Sequence, residues 1–311
     1  MEDRFIGCLL GLAVGDALGA HFEGQSSEFI KTRYLTAHHL IQNPPYGEQW
    51  YTDDTQMAIG VAETLVACGR IDERHLCDRF AANYVAGRGY GREARVIIEA
   101  MIAGEDYKWL AANHFPGGSF GNGAAMRVAP VGLMFHHDAD RIWEEARLSA
   151  LPTHTHPLGI EGAQLLALAV GLAVGSEEFE RERFFNVLYA RCHAVDYSGP
   201  LRRAAQLSNP KDIALFGNGI EAASSVVTAI AAFSMAPDSY EQAIGSAILL
   251  GGDTDTIAAM AGAISGAFLG WQAIPGHLLE QLEDREQGRS YIKGLARQLC
   301  ASHLQMIARG A

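Results

Sequence analysis

The sequence predicts an all-α protein that folds as one compact domain over residues 1–311, in the manner of an orthogonal helical bundle. Alanine and leucine recur at helical spacing along the whole chain, whereas Val, Ile and Thr alternate with polar residues over no long stretch. Because 49% of the 311 residues are hydrophobic, the chain is long enough to bury one large core.

Apolar periodicity places the predicted helices at 4–18, 55–68, 73–85, 94–103, 124–135, 140–149, 158–174, 181–193, 218–233, 239–249, 254–269 and 288–309. Connections rich in Gly and Pro separate some of them, at 44–45, 114–123, 152–157 and 209–218. None of these connections is long or biased enough to be a linker between domains. A single domain is therefore expected.

Charge and cysteine content restrict the possible functions. The net charge is −12, from 24 Lys and Arg against 36 Asp and Glu, and no basic run is present, which argues against binding to a nucleic-acid backbone. The five cysteines are odd in number, scattered and without a CxxC pair, which favours a reduced, cytoplasmic protein. Glu2 and Asp3 precede the first apolar run and Asp16 interrupts it, so neither a signal peptide nor a membrane span is expected there.

The stretch 249–266, LLGGDTDTIAAMAGAISG, carries charge into an apolar segment. From Ile257 onward nearly every position is apolar or small, which predicts a helix surrounded by other helices. Asp253, Asp255 and Thr256 are therefore expected inside the protein. Helix capping accounts for one of the two carboxylates, and the second needs a raised pKa or a positive partner such as a metal ion.

A similar cluster, TDDT, stands at 52–55 before the predicted helix 55–68. Asp53 and Asp54 together with Asp253 and Asp255 carry four negative charges, which two divalent cations would balance. Carboxylate and hydroxyl oxygens favour Mg²⁺ or Mn²⁺ over Zn²⁺. The spacing predicts a central binuclear metal site, with N-capping as the alternative.

Further candidate groups lie elsewhere. Glu23, at the end of GDALGAHFEG, is a candidate acid or base, although both it and Asp16 are also compatible with ordinary helix-end or surface carboxylates. The glycine loop 117–123, GGSFGNG, precedes a predicted helix, and its backbone N–H groups could hold an anion, the alternative being a tight turn. Phe115 stands before the loop and Phe120 within it, and both could stack on a base.

One histidine of PTHTHPLG is expected to contact substrate, since no further His or Cys ligand for zinc stands near His154 and His156. The glycine-containing turns RGYG at 88–91 and NGI at 218–220 each precede a predicted helix and are weak indications by themselves.

Taken together, the chain resembles the ADP-ribosylglycohydrolase family over almost its whole length. The motifs that carry the resemblance occur in the family's order: GDALGAHFEG, WYTDDTQM, RGYG, GGSFGNGAAMRVAP, THTHPLG, FGNGIEAA and LLGGDTDTIAAMAGAISGA. The resemblance implies a compact all-α fold, two central Mg²⁺ or Mn²⁺ ions, and hydrolysis of the glycosidic bond at C1″ of ADP-ribose. ADP-ribosylated proteins or ADP-ribose conjugates would be the partners, and we expect a monomer.

The resemblance also implies roles for individual residues. The metal ligands would be Thr52, Asp53, Asp54, Asp253, Asp255 and Thr256, and the catalytic groups Glu23 and Asp54. Residues matching those that hold ADP-ribose in the branch acting on serine-linked and polymeric ADP-ribose are Gly89, Phe115, Gly118, Ser119, Phe120, Gly121, Asn122, His154 and Ile220.

Two positions depart from that branch. Phe120 stands where its eukaryotic members usually have tyrosine, and Phe115 aligns only after a shift of one residue. Other readings remain open for the acceptor and the chemistry: removal of ADP-ribose from arginine, a non-catalytic ADP-ribose sensor that keeps the metals, or a metal-dependent phosphoesterase that would release AMP or phosphate.

Overall fold

The structure, a computed structural model, describes residues 1–114 and 116–310, and within these ranges every regular element is helical. The α-helices, numbered in chain order, are α1 Glu2–Gly19, α2 Ser27–Arg33, α3 Ala37–Gln42, α4 Asp53–Cys68, α5 Glu73–Asn83, α6 Arg92–Ala103, α7 Tyr107–Asn113, α8 Ala129–Met134, α9 Ala139–Ala150, α10 Pro157–Val174, α11 Arg181–Arg191, α12 Val195–Ala205, α13 Ala222–Met235, α14 Tyr240–Ile248, α15 Thr254–Leu269, α16 Gly276–Gln281 and α17 Arg289–Gly310. The predicted all-α class is confirmed.

The long helices match the prediction closely, and the differences concern short elements and the 11-residue α12. Helices α2, α3, α7, α12 and α16 were not predicted. The predicted helix 124–135 was wrong over its first half, where a 3-10 turn (Asn122–Ala124) precedes α8. Pro130 explains this, because proline fits the first turn of a helix but blocks its interior. The helix predicted from residue 218 begins only at Ala222.

Helices α1 and α15 form the centre of the fold and touch through their backbones. A Cβ atom added at Gly11 would lie 2.5 Å from the Gly262 carbonyl oxygen, and one at Gly15 would lie 2.2 Å from that of Ala258. Residues four apart share one face of a helix, so these contacts form a ladder. Its glycines are Gly7, Gly11, Gly15 and Gly19 on α1, and Gly262 and Gly266 on α15.

The core extends around this pair as one cluster of buried apolar residues from Phe5 to Cys300. Two segments, Glu2–Phe22 and Pro157–Val174, have the length and hydropathy of a membrane span, but 89% and 78% of their apolar windows are buried inside the protein. Burial to this extent is expected of the core helices of a globular fold. The ladder of α1 and α15 therefore lies inside packed protein, and it ends at the two acidic clusters.

Candidate active site

The two acidic clusters predicted from the sequence lie together. Thr52 precedes α4 and Asp253 precedes α15, so each cluster occupies the N-terminus of a buried helix. The Thr256 hydroxyl donates to Asp54 Oδ1 at 3.4 Å, which joins residues that are 202 positions apart. The positive end of each helix dipole faces the carboxylates and partly offsets their repulsion.

Glu23 joins this group because its segment pairs with the turn before α15. The Gly24 amide donates to the Gly252 carbonyl at 2.8 Å, and the Gly252 amide donates to Gln25 O at 2.9 Å. Gly251 has a φ of 70°, and a Cβ there would lie 2.4 Å from Gln25 O, so this turn requires glycine. As a result, one carboxylate oxygen of each of three residues lies within 4.8 Å of the others: Glu23, Asp253 and Asp255.

Asp16, interpreted from the sequence as a structural carboxylate at a helix end or on the surface, has a structural role in the interior. Its side chain is fully buried in α1. It accepts hydrogen bonds from the Thr52 amide at 2.9 Å, the Thr52 hydroxyl at 2.8 Å and the Thr55 amide at 3.0 Å, and also from the Thr55 hydroxyl. Asp16 thus fixes the first turn of α4, which carries Asp53 and Asp54.

Burial and mutual repulsion disfavour ionisation of these carboxylates. Burial, followed by the charge of Asp16, raises the pKa of Asp53 to about 7 and that of Asp54 well above its ordinary value. Burial, followed by the charge of Asp253, raises the pKa of Asp255 to about 9. Among the described residues, Asp53, Asp54, Asp253 and Asp255 form no ion pair with Lys, Arg or His.

N-capping does not account for the cluster. The side chain of Asp253, at the N-cap of α15, accepts no capping hydrogen bond, and at α4 the weak cap of 3.5 Å comes from Thr52. Asp54 Oδ2 is buried without any hydrogen-bond partner among the described residues. A buried carboxylate oxygen without a donor is costly, and a cation would satisfy it. The oxygen-only donor set fits hard divalent cations such as Mg²⁺ or Mn²⁺.

These carboxylates line one side of a cleft of about 380 Å³. The residues predicted from sequence that line it are Glu23, Asp53, Asp54, Gly89, Ser119, Phe120, Gly121, Asn122, His154, Ile220, Asp253, Asp255 and Thr256. The structure adds residues that sequence reasoning missed, among them Met57, Glu93, Arg127 and Glu221. Phe120 and Ile220 are 49% and 68% exposed and stand at the mouth.

Asn122 connects the glycine loop to the acidic cluster. Its Nδ2 donates to Asp253 Oδ2 at 2.5 Å and to Ser225 Oγ at 3.1 Å, while its amide donates to Ile220 O at 2.9 Å. Because a buried amide satisfies both a carboxylate and a hydroxyl, the loop is held in one register against α13 and α15.

The loop differs from its sequence interpretation in two respects. No helix follows it directly, since α8 begins only at Ala129. The amides of Gly121 and Asn122 are already bonded, to Ser119 Oγ and to Ile220 O, whereas those of Ser119 and Phe120 have no protein acceptor among the described residues.

Two of the predicted residues, Gly118 and Thr52, do not line the cleft. Gly118 packs on the next segment, because an added Cβ would lie 2.1 Å from Thr155 Oγ1 at a φ of 85°. The Thr52 hydroxyl donates to Asp16 and accepts only the weak cap from the Asp54 amide at 3.5 Å, which leaves one oxygen lone pair available for a cation. Phe115 lies outside the described residues.

Two basic residues that the sequence did not single out support the walls of the cleft. Arg88 forms a partly buried bidentate pair with Glu283 and donates to Tyr51 O at 2.7 Å, which fixes the turn that presents Gly89. Arg127, only 1% exposed, donates to Gly123 O at 3.1 Å beneath the glycine loop. Arg88 and Arg127 stand in different segments and belong to no basic run, so the sequence gives no recognisable pattern.

Comparison with known proteins agrees with this geometry. The family model for ADP-ribosylglycohydrolase matches residues 1–306. ADP-ribosylhydrolase ARH3 of Gallus gallus is 36% identical, covering 88% of this chain and 87% of its own, and that of Homo sapiens is 34% identical, covering 91% and 90%. A solved structure titled ADP-ribosylglycohydrolase-related protein complex superposes with a TM-score of 0.72 at 29% identity, over 97% of this chain and 98% of its own. The chain therefore belongs to the ADP-ribosylglycohydrolase family and is an ADP-ribosyl glycohydrolase.

Proposed function

We propose that this enzyme hydrolyses the glycosidic bond at C1″ of ADP-ribose joined to protein through serine, or in ADP-ribose polymers and conjugates, with release of ADP-ribose. The observation that carries the proposal is the convergence of Glu23, the paired aspartates and the glycine loop on one cleft of about 380 Å³. A cleft of this volume suits a nucleotide-sized ligand.

Two divalent cations, Mg²⁺ or Mn²⁺, are proposed as cofactors. The residues that would hold them are Thr52, Asp53, Asp54, Asp253, Asp255 and Thr256. Within the described part of the chain, Asp54 Oδ2 is buried without a hydrogen-bond partner and the neighbouring aspartates form no ion pair, which supports this assignment. When bound, such ions supply Lewis-acid stabilisation of the charge that develops as a glycosidic bond loosens.

The chain's own residues would bind, orient and move protons. Glu23 is exposed beside Asp253 and Asp255, where it can take a proton from water or give one to the leaving oxygen. Asp54 is the other proposed proton-handling group. The amides of Ser119 and Phe120, which have no acceptor in the described part of the chain, can donate to the diphosphate, so a protein with a net charge of −12 needs no basic patch. The exposed ring of Phe120 offers a stacking face to a base.

The test is a product assay on defined linkages. Serine-ADP-ribosylated peptide, arginine-ADP-ribosylated peptide and poly-ADP-ribose are each incubated with Mg²⁺, Mn²⁺ or a chelator, and the products are separated by mass. We expect intact ADP-ribose from the serine-linked peptide and loss of turnover with chelator. Release only from the arginine-linked peptide would show that the acceptor is arginine and not serine. Release of AMP would indicate a phosphoesterase, and binding without turnover would indicate a sensor.

A matched pair of variants distinguishes loss of the metal site from loss of folding. Asp255→Asn removes a proposed ligand at the N-terminus of α15, and Asp238→Asn makes the same change at an exposed position outside the cleft. We expect Asp255→Asn to abolish metal-dependent hydrolysis while its far-ultraviolet helical spectrum survives. Asp238→Asn should retain full turnover. Full hydrolysis by a folded Asp255→Asn protein would contradict the ligand role.

The remaining proposals concern the partners, the oligomeric state and the localisation of the protein. ADP-ribosylated proteins or conjugates are the proposed partners, reached by a monomer in the cytoplasm without binding to membrane or nucleic-acid backbone. The five cysteines are all unpaired and the net charge is −12, which supports a reduced compartment and argues against a phosphate backbone as ligand.

A further inference from the structure

A buried chain of hydrogen bonds ends at His154, on the wall of the cleft. Arg127 Nη2 donates to Ser149 O and to Thr153 Oγ1, each at 2.9 Å. Thr153 Oγ1 in turn lies 2.7 Å from His154 Nδ1. All three linked side chains are buried: Arg127 is 1% exposed, Thr153 is 2% exposed and His154 is 6% exposed.

The chemistry of the three groups fixes where the protons lie. A guanidinium can only donate, so Thr153 Oγ1 accepts from Arg127. The proton of the Thr153 hydroxyl then needs an acceptor, and His154 Nδ1 is its only other partner among the described residues. Nδ1 therefore accepts, which leaves the ring proton of the neutral imidazole on Nε2.

The Nε2 edge of the ring faces the cleft past two glycines. An added Cβ would lie 3.3 Å from Nε2 at Gly123 and 3.9 Å from it at Gly121, so larger residues there would cover this edge. No described residue accepts a hydrogen bond from Nε2, and His154 lines the cleft. Burial, followed by the charge of Arg127, lowers the pKa of His154 to about 3, which keeps the ring neutral.

We propose that Arg127 and Thr153 are positioning residues that fix His154 as the Nε2–H tautomer, so that it donates a hydrogen bond to an oxygen of the ligand in the cleft. Identifying that ligand as ADP-ribose rests on the proposed function. Without the one-way donor Arg127, the Thr153 hydroxyl could accept from the ring as readily as donate to it. The guanidinium of Arg127 therefore fixes which group donates and which accepts in each hydrogen bond of this series.

The tautomer is measured directly in the ligand-free protein by NMR of ¹⁵N-histidine-labelled samples, with the His154 signals assigned by their absence in His154→Asn. We expect a protonated-type shift at Nε2 and an unprotonated-type shift at Nδ1. Thr153→Val keeps the side-chain shape but has no hydroxyl, and it should lose this single form. Thr153→Ser keeps the hydroxyl and should preserve it. A wild-type ring protonated at Nδ1 would overturn the proposal, whether or not Thr153→Val folds.

The consequence for binding is tested by calorimetry with ADP-ribose as the probe. Losing one fixed hydrogen bond should weaken binding by roughly five- to tenfold in Thr153→Val, with near wild-type affinity in Thr153→Ser. Unchanged affinity in a folded Thr153→Val protein would refute the positioning role. Failure of the wild-type protein to bind ADP-ribose would remove the proposed function, while the tautomer measurement would still decide this inference.

Discussion

The contact between α1 and α15 makes a strong prediction for Gly262→Ala, at the middle of the glycine ladder. The new Cβ would lie 2.3 Å from the Gly11 carbonyl oxygen and 3.0 Å from its carbon. Both atoms are backbone, so neither can rotate away as a side chain could. Relief requires the two central helices to separate, which loosens packing along their whole contact.

The magnitude follows from two opposing effects. Alanine is a better helix former than glycine by about 1 kcal/mol, while overpacking of a well-packed core costs about 3 kcal/mol when the contact is with backbone. The expected net loss in the free energy of unfolding is therefore about 2 kcal/mol. Gly294→Ala in α17 is the matched control, because a Cβ there meets nothing within 4 Å. That variant should gain about 1 kcal/mol from helix propensity.

Urea denaturation followed by far-ultraviolet circular dichroism measures both variants. The same chemical change should shift the unfolding midpoint in opposite directions, with a difference of about 3 kcal/mol between the two. Because α1 carries Asp16 and α15 carries Asp255, Gly262→Ala should also weaken Mg²⁺ binding. A Gly262→Ala protein as stable as Gly294→Ala would refute the close contact of these helices.

Three further results are expected. Asp16→Asn exchanges an acceptor oxygen for an amide that faces the donors of Thr52 and Thr55, and it should lower the free energy of unfolding in urea by about 3 kcal/mol. Glu23→Gln should keep ADP-ribose affinity in calorimetry and lose turnover, and wild-type turnover would return Glu23 to a structural role. In the metal-free protein the pKa of Asp53 and Asp255 is raised to about 7 and about 9, so the folded state holds more protons than the unfolded state above about pH 4 and stability falls as pH rises. Mg²⁺ should therefore raise the thermal midpoint more at about pH 8 than at about pH 5, and an equal effect at both would contradict the repulsion.

The sequence predicted the long helices because their apolar periodicity extends over several turns. It did not predict α2 or α3, which have 7 and 6 residues and offer too few positions for a period to appear. Their starts are marked only by Ser26 and Thr36, whose side chains cap the next turn. Such caps resemble ordinary polar loop residues until the structure shows what they bond.

The meeting of the two acidic clusters could be anticipated from charge and burial, since each places two carboxylates at the start of an apolar helix. The role of Asp16 could not, because its donors on Thr52 and Thr55 lie 36 and 39 positions away. An Asp inside the apolar run of α1 was visible, but it has no local partner in the sequence. Residues that act only through distant backbone and hydroxyl groups leave no periodic or compositional trace.

Hydrogen-bond partners distinguish two kinds of buried carboxylate, at Asp16 and Asp54, that look alike in the sequence. Both oxygens of Asp16 are engaged by protein donors, so this residue can hold the first turn of α4 but has little capacity left for a ligand. Asp54 lies in the same turn, yet its Oδ2 has no donor at all among the described residues. Folding stability alone does not favour a buried carboxylate in that state. The unbonded Oδ2 of Asp54 thus indicates ligand binding. The hydrogen bonds to both oxygens of Asp16 hold the turn that carries Asp54 in position.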